Sequence, residues 1–170
     1  CSSETAVNIA KLVDGAIAIP HQHGCCEIGD DFDTTKRTLV GFGKNPNVGA
    51  VLVVGLGCEG IQAKEIADEI KTTGKPVEYI VIQEEGGTAK TVSKGVEIAG
   101  KMAREISKQN KVEFDISEII LGLECGGSDP TSGLASNPSI GVASDMLVSM
   151  GGSSILSETT EVIGAEHLLY

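Results

Sequence analysis

The stretch Ala50-Val51-Leu52-Val53-Val54-Gly55-Leu56-Gly57-Cys58-Glu59-Gly60 decides how this chain is read. Its first half is a β-branched apolar run without polar alternation, the pattern of a strand buried on both faces. Glycines end the run. Ile61–Thr72 follows with Ile61, Ile66, Ala67 and Ile70 on one side, as in an amphipathic helix. A second apolar run, Val77–Gln83, completes a strand-helix-strand step.

Working outward, Gly15–Ile19, Glu118–Leu123 and Ser153–Leu156 read as further strands. Thr88–Gln109 is the clearest further helix. Val92, Val96, Ala99, Ala103 and Ile106 recur at three- and four-residue steps, and Thr88 is placed to cap its start. Asn137-Pro138 reads as a cap and first-turn proline opening a helix to about Met150. Asp33–Gly43 reads as a weaker helix ended by the turn Asn45-Pro46-Asn47. Alternating strands and helices imply parallel βαβ crossovers. The expectation is a single α/β domain over residues 1–170. It would be a three-layer α/β/α sandwich with a mainly parallel five-stranded sheet, Rossmann-like or flavodoxin-like.

Net charge is −11. Nucleic acid and anionic membrane both require clustered Lys and Arg, so neither is expected as a partner. No apolar run is long enough to span a bilayer, and no signal peptide is recognisable. The chain is expected to be cytoplasmic. It starts at Cys1 without Met and is expected to be a piece of something longer. Its five cysteines are too few and too scattered for a disulfide scaffold, which favours core, metal or catalytic roles.

Ligands of parallel sheets bind beyond the carboxyl ends of the strands. Each strand read above runs into a distinctive segment, and in one parallel sheet all five would meet at one edge. After the first comes His21-Gln22-His23-Gly24-Cys25-Cys26-Glu27, with imidazoles and thiols suited to zinc or iron. After the second comes Gly57-Cys58-Glu59-Gly60, and after the third Glu84-Glu85-Gly86-Gly87-Thr88. After the fourth comes Glu124-Cys125-Gly126-Gly127-Ser128-Asp129-Pro130, and after the fifth Ser157-Glu158-Thr159. Cys25, Cys58 and Cys125 together would make a three-thiolate site, leaving one iron of an iron-sulfur cluster open to substrate. Gly55–Gly60 also fits the G-x-G-x-x-G spacing of a dinucleotide-binding oxidoreductase, with Glu59 repelling a pyrophosphate. Asp30, Asp31 and Asp33 resemble the start of a calcium loop but lack its later Gly and Glu, so a solvated acidic turn is expected. Asp129 is a candidate metal ligand or general base, or the anchor of an Asx turn before Pro130.

The block Cys125-Gly126-Gly127-Ser128-Asp129, with Ser132-Gly133, Asn137-Pro138, Ser144-Asp145, Gly151-Gly152 and Ile155-Leu156-Ser157-Glu158-Thr159, resembles the altronate/galactarate dehydratase family. Gly57-Cys58-Glu59 and His23-Gly24-Cys25 extend the resemblance over nearly the whole chain. Sulfolactate sulfo-lyase large subunits are similar. The resemblance implies the central piece of a longer lyase. A β-rich N-terminal domain or subunit and a C-terminal region would be its partners, and homo-oligomers would be possible. It implies dehydration of a small anionic sugar acid, of altronate or galactarate type, to a 2-keto-3-deoxy acid. A base takes the proton α to the carboxylate, and an acid protonates the departing 3-hydroxyl. A divalent metal, Fe²⁺ or Mn²⁺ with Mg²⁺ as a further option, stabilises the enediolate. On this reading His21, His23 and Asp129 are catalytic, and Cys25, Cys58, Glu59 and Cys125 lie at the metal. Gly87, Thr88, Gly126, Gly127, Ser128 and Asn137 bind substrate. For Gly87 and Thr88 a helix N-terminus supplies an independent reason to attract an anion.

Overall fold

The computed structural model describes residues 1–25 and 27–169. Its backbone contacts divide it into two compact units, Cys1–Asn110 and Lys111–Tyr170.

The first unit is built on the predicted strand-helix-strand step. Strand β1 (Val51–Gly55) and β2 (Val77–Val81) pair in parallel, Val51 opposite Val77 and Gly55 opposite Val81. Helix α1 is Ser3–Lys11, α2 is Asp30–Lys44, and α3, Ala63–Lys71, connects the strands. The predicted stripe on α3 is the centre of the core: Ile61, Ile66, Ala67 and Ile70 are buried with Val40 and Val77. Phe32, Leu39, Val51, Val53 and Tyr79 pack around them. Alternation along the strands turns these strand residues to the α2/α3 side and Ile80 to the other. There α5 (Thr88–Ile106) packs against α1 and both strands. Gly95 makes that approach possible, because a Cβ there would run into the Ile9 side chain. The buried positions of α5 are Thr91 and Gly95, one turn apart. The apolar residues named from periodicity flank them half-buried.

Second-unit strands β3 (Ile120–Leu123) and β4 (Ser153–Leu156) also pair in parallel, Ile120 opposite Ser153. Helix α6 (Asn137–Ser149) packs on β4 through the buried Leu147, and Ser144 Oγ lies 2.8 Å from Ser154 Oγ.

The parallel α/β character is as expected, but the five-stranded sheet is not. Two two-stranded sheets are present among the described residues. Gly15–Ile19 is not a strand. Gly15 turns the chain at φ +79°, and Ile17 is 79% exposed, with no neighbouring strand to pair. Val77–Gln83 stops at Val81, where a single helical turn, α4 (Ile82–Glu85), begins. Glu118 belongs to a 3₁₀ turn, Ile116–Glu118, capped by the Asp115 carboxylate. Asp30, Asp31 and Asp33 form the first turn of α2 rather than a loose acidic turn, with their carboxylates at the positive end of the helix. The Asn45-Pro46-Asn47 turn is present, held by Asn45 Oδ1 accepting from Asn47 N at 2.9 Å.

Candidate functional site

Because β1 and β2 are parallel, the segments after them leave the same edge. They are joined there by Gln83 N donating to Leu56 O at 3.1 Å. Gly57 adopts φ +123°, and a Cβ on it would strike Gln83 Oε1 at 2.5 Å, so glycine is required. The Glu59 carboxylate folds back under this turn. It accepts from Leu56 N at 2.9 Å and from Gly57 N at 2.6 Å, while Gln62 Nε2 bonds Glu59 O. The backbone amides that would cradle a pyrophosphate are thus already held by an internal carboxylate, and the dinucleotide reading loses its physical basis. Cys58, at the tip, is exposed.

The His21–Glu27 segment has no strand before it, yet it is anchored from three directions. Ser3 Oγ donates to His21 O at 3.0 Å, Gly60 N to Gly24 O at 3.4 Å, and Thr35 Oγ1 to Glu27 Oε1 at 2.9 Å. His23 Nδ1 stands 3.6 Å from Glu27 Oε1. His23 and Glu27 line a cleft of about 440 Å³ with Ile28, Asp31, Thr34 and Thr35. Desolvation holds the His21 imidazole below its ordinary value, against an opposing pull from Glu27. Cys25 is exposed, and Cys26 lies outside the described residues.

At the start of α5, Gly87 rather than Thr88 is the N-cap, at φ +115°, and Thr88 is the first helical residue. Glycine serves here because a Cβ disfavours that positive φ; the preceding Gly86, left-handed at φ +80°, ends α4.

In the second unit the segments after β3 and β4 are tied together. Ser157 Oγ donates to Leu123 O at 2.8 Å, and Cys125 N to Glu158 Oε2 at 3.3 Å. Glu158 sits at φ +60°, a left-handed conformation that costs a residue with a Cβ. Cys125 Sγ lies 3.5 Å from Ser128 Oγ. Gly126 and Gly127 face open space. Asp129 Oδ1 accepts from Thr131 N (2.7 Å), Thr131 Oγ1 (2.5 Å) and Ser132 N (3.2 Å), and Asp129 N donates to Ser132 Oγ (3.0 Å). This is reciprocal capping of a helix. Helical backbone starts at Pro130, passes through a π segment, Ser132–Ser136, and continues into α6. Asn137 therefore lies inside the helical stretch, not at its cap. The Thr131 hydroxyl and amide hold the Asp129 carboxyl below the usual range, which suits an anchor or ligand better than a proton acceptor.

The proposed metal donors distribute as Cys25, Cys58 and Glu59 in the first unit and Cys125 in the second. Within neither unit do three His, Cys, Asp or Glu side chains gather around one ion among the described residues. Glu59 already spends both carboxylate oxygens on its own turn. Sequence reasoning passed over Glu27, Thr35 and Arg37, whose guanidinium bonds the cleft residue Thr34 at 3.1 Å. Glu27 stood in the quoted loop, and its spacing of four residues from His23 was the available signal.

Residues 1–107 match a family model described as D-galactarate dehydratase/Altronate hydrolase, second domain. Residues 116–170 match one described as D-galactarate/Altronate dehydratase, C-terminal. The chain is 38% identical to the beta subunit of (2R)-sulfolactate sulfo-lyase from Chromohalobacter salexigens, covering 99% of the chain and 42% of that protein. It is 34% identical to altronate dehydratase from Bacillus subtilis, covering 92% of the chain and 31% of the relative. It is 37% identical to galactarate dehydratase (L-threo-forming) from Escherichia coli, covering 78% of the chain and 27% of the relative. The chain thus spans well under half the length of these relatives. No solved structure matches it. No described helix is long and apolar enough to cross a membrane.

Proposed function

Since the chain belongs to the D-galactarate dehydratase/altronate hydrolase family, we propose that it supplies part of the active site of a lyase that eliminates water from an anionic sugar acid of altronate or galactarate type, giving a 2-keto-3-deoxy acid. The observation that carries this reading is the family match, running through both units and including their loops. The structure adds support in the first unit, where His21–Glu27 is bonded to Gly60, in the turn that follows β1.

Elimination requires removal of the proton α to the carboxylate and protonation of the departing 3-hydroxyl. His23 is the side chain suited to proton transfer, being accessible, on the cleft wall and beside the Glu27 carboxylate. Thr34, Thr35 and Arg37 offer hydroxyl and cationic donors to an anionic substrate. In the second unit, Ser128 and the open backbone at Gly126–Gly127 are assigned to substrate hydroxyls. Asp129 sets the loop's shape by capping the helix that follows. Gly87 and Thr88, at the start of α5, are assigned to a substrate carboxylate; the Gly87 amide itself donates to Ile82 O at 3.0 Å, so the first-turn amides from Thr88 onward are the donors. The remainder of the enzyme, as a β-rich domain or subunit and further C-terminal chain, would complete the site.

The 38% identity to a sulfolactate sulfo-lyase subunit over 99% of the chain favours a second reading, loss of sulfite rather than water. The two share removal of a proton beside a carboxylate and expulsion of a group from the next carbon. A chimera separates them: this chain replaces the matching region of the Bacillus subtilis altronate dehydratase, and products are assayed from D-altronate, D-galactarate and (2R)-sulfolactate. The first reading expects keto-deoxy acid, abolished by His23→Ala. Sulfite release alone would transfer the assignment to the second reading. A folded chimera forming neither product, or a His23→Ala chimera with unchanged turnover, would overturn the assignment made here.

A further inference from the structure

Among the described residues, every positive-φ position except one is occupied by glycine; the exception is Glu158, at φ +60° and ψ +54°. A side chain with a Cβ is disfavoured in this left-handed region, and glutamate has no local bond that eases it. Burial does not offset the cost, because Glu158 is exposed. The chain meets the same backbone need with glycine at Gly15, Gly57, Gly86 and Gly151, yet carries a carboxylate here. Strained residues of this kind cluster at functional sites, and the contact Glu158 makes identifies what its strain serves.

That contact is with the loop after the neighbouring strand. Ser157 N and Ser157 Oγ both donate to Leu123 O, at 3.0 and 2.8 Å, and carry the β3–β4 pairing one residue past Leu156. The left-handed turn comes next, and Glu158 Oε2 accepts from Cys125 N at 3.3 Å, across 33 residues of sequence. Beyond Cys125 lie Gly126 and Gly127, which face open space and have the widest backbone freedom of any residue type. Ser128 follows, its Oγ 3.5 Å from Cys125 Sγ. The far end of the segment is fixed by the Asp129 carboxylate on Thr131 and Ser132. Cys125–Ser128 is therefore a loose Gly-Gly span clamped at both ends, by Asp129 within its own loop and by Glu158 from the next.

We propose that Glu158 is a positioning residue: its carboxylate holds the Cys125 amide, and so fixes Cys125 and Ser128 for a substrate, at the expense of local backbone strain. It acts through the loop and not on the substrate. The amide needs an acceptor oxygen, not a charge. That Ser128 meets a substrate hydroxyl rests on the lyase reading; the clamp on Cys125 does not.

Three substitutions separate position from stability. Glu158→Gly removes both the strain and the acceptor, Glu158→Ala removes the acceptor and keeps the strain, and Glu158→Gln keeps an acceptor oxygen at the same reach. In the 170-residue chain, Cys125 amide exchange followed by NMR should accelerate in the glycine and alanine variants and stay near wild type in the glutamine variant. Thermal melts should find Glu158→Gly no less stable than the wild type and Glu158→Ala less stable. In the Bacillus subtilis chimera, Glu158→Gly and Glu158→Ala should lower kcat/KM at least about tenfold, as a displaced substrate-binding group does, while Glu158→Gln stays within about threefold. Lost turnover without lost stability in Glu158→Gly is the signature of positioning. Unchanged Cys125 exchange in folded Glu158→Gly would overturn the proposal. So would full turnover in that variant, or a melting temperature below that of Glu158→Ala, which would place the role of the residue in folding. A loss in Glu158→Gln as large as in Glu158→Gly would overturn it as well, because the charge and not the acceptor would then be at work. A chimera inactive toward D-altronate, D-galactarate and (2R)-sulfolactate would sink the lyase reading alone, and Cys125 exchange would still decide the clamp.

Discussion

The two units repeat one step, a pair of parallel strands joined through a helix, and finish it differently. In Cys1–Asn110, α2 and α3 cover one face of β1 and β2, and α1 and α5 cover the other. In Lys111–Tyr170, α6 covers one side, while Ile120 and Ile155 stand 66% and 58% exposed. Among the described buried hydrophobic residues, Leu147 alone belongs to the second unit. The same apolar strand pattern therefore yields a closed core in one place and an open apolar face in the other. Strand pattern sets the element; the number of layers available sets the burial.

The polar loops differ in the same sense. His21–Glu27 is held by partners distant in sequence, at Ser3, Thr35 and Gly60. The Asp129 loop is held mainly by its own neighbours, Thr131 and Ser132. Long-range anchoring ties a loop's geometry to the core. Local capping lets a loop keep its shape with little core beneath it.

The largest effect that would sharpen this contrast comes from truncating matched apolar residues. Ile70→Ala, at 1% exposure, should cost about 2–5 kcal/mol in urea denaturation. Ile155→Ala, at 58% exposure, should stay within about 0.5 kcal/mol. Equal losses would break the distinction between a closed and an open face.

Next comes one substitution with opposite signs. Gly95→Ala drives a methyl group into Ile9 and should destabilise by about 1–3 kcal/mol. Gly141→Ala lies within α6 with nothing inside 4 Å and should stabilise by about 0.5–1 kcal/mol through helix propensity. Thermal melts of the two variants check both signs; destabilisation by Gly141→Ala would show that the α6 surface is packed after all.

The smallest effect is acid dependence. Hydrogen bonds from Thr131 depress the folded-state pKa of Asp129 below its ordinary value of 3.8. The folded state then binds fewer protons than the unfolded one. The stabilisation is complete above the unfolded value and is lost as pH falls through the folded one. Helical circular dichroism between about pH 5 and pH 2 should fall less steeply in Asp129→Asn than in the wild type. An identical pH profile would remove the carboxylate from the cap.

Much of the first unit could be read from the chain because its strands are continuous β-branched runs and its α3 stripe has helical spacing. Helix α1 escaped that reading. It buries Thr5 at 2% beside Ile9, and a buried threonine leaves no hydrophobic signal. Gly15–Ile19 shows the converse error, an apolar run that finds no partner strand. Asn137-Pro138 has the form of a helix start, yet Pro138 lies beyond the start at Pro130. It lacks the N–H that would reach the Leu134 carbonyl, and the π segment Ser132–Ser136 lies where that bond is missing. For the site, the loops carrying chemistry were legible as motifs. The role of Glu59 was not, since a carboxylate turned back onto its own backbone has the same composition as one turned outward.

By itself the sequence determined a parallel α/β character, the family, and the loops that hold its reactive residues. Those properties follow from local periodicity and from motif spacing, which do not depend on what packs against them. Tertiary structure alone decided that the strands form two pairs rather than one sheet, that Glu59 fills its own turn, and that Glu158 reaches the Cys125 amide. Each of these depends on which groups meet across long stretches of chain, where burial and hydrogen-bond competition, rather than residue type, select the partner.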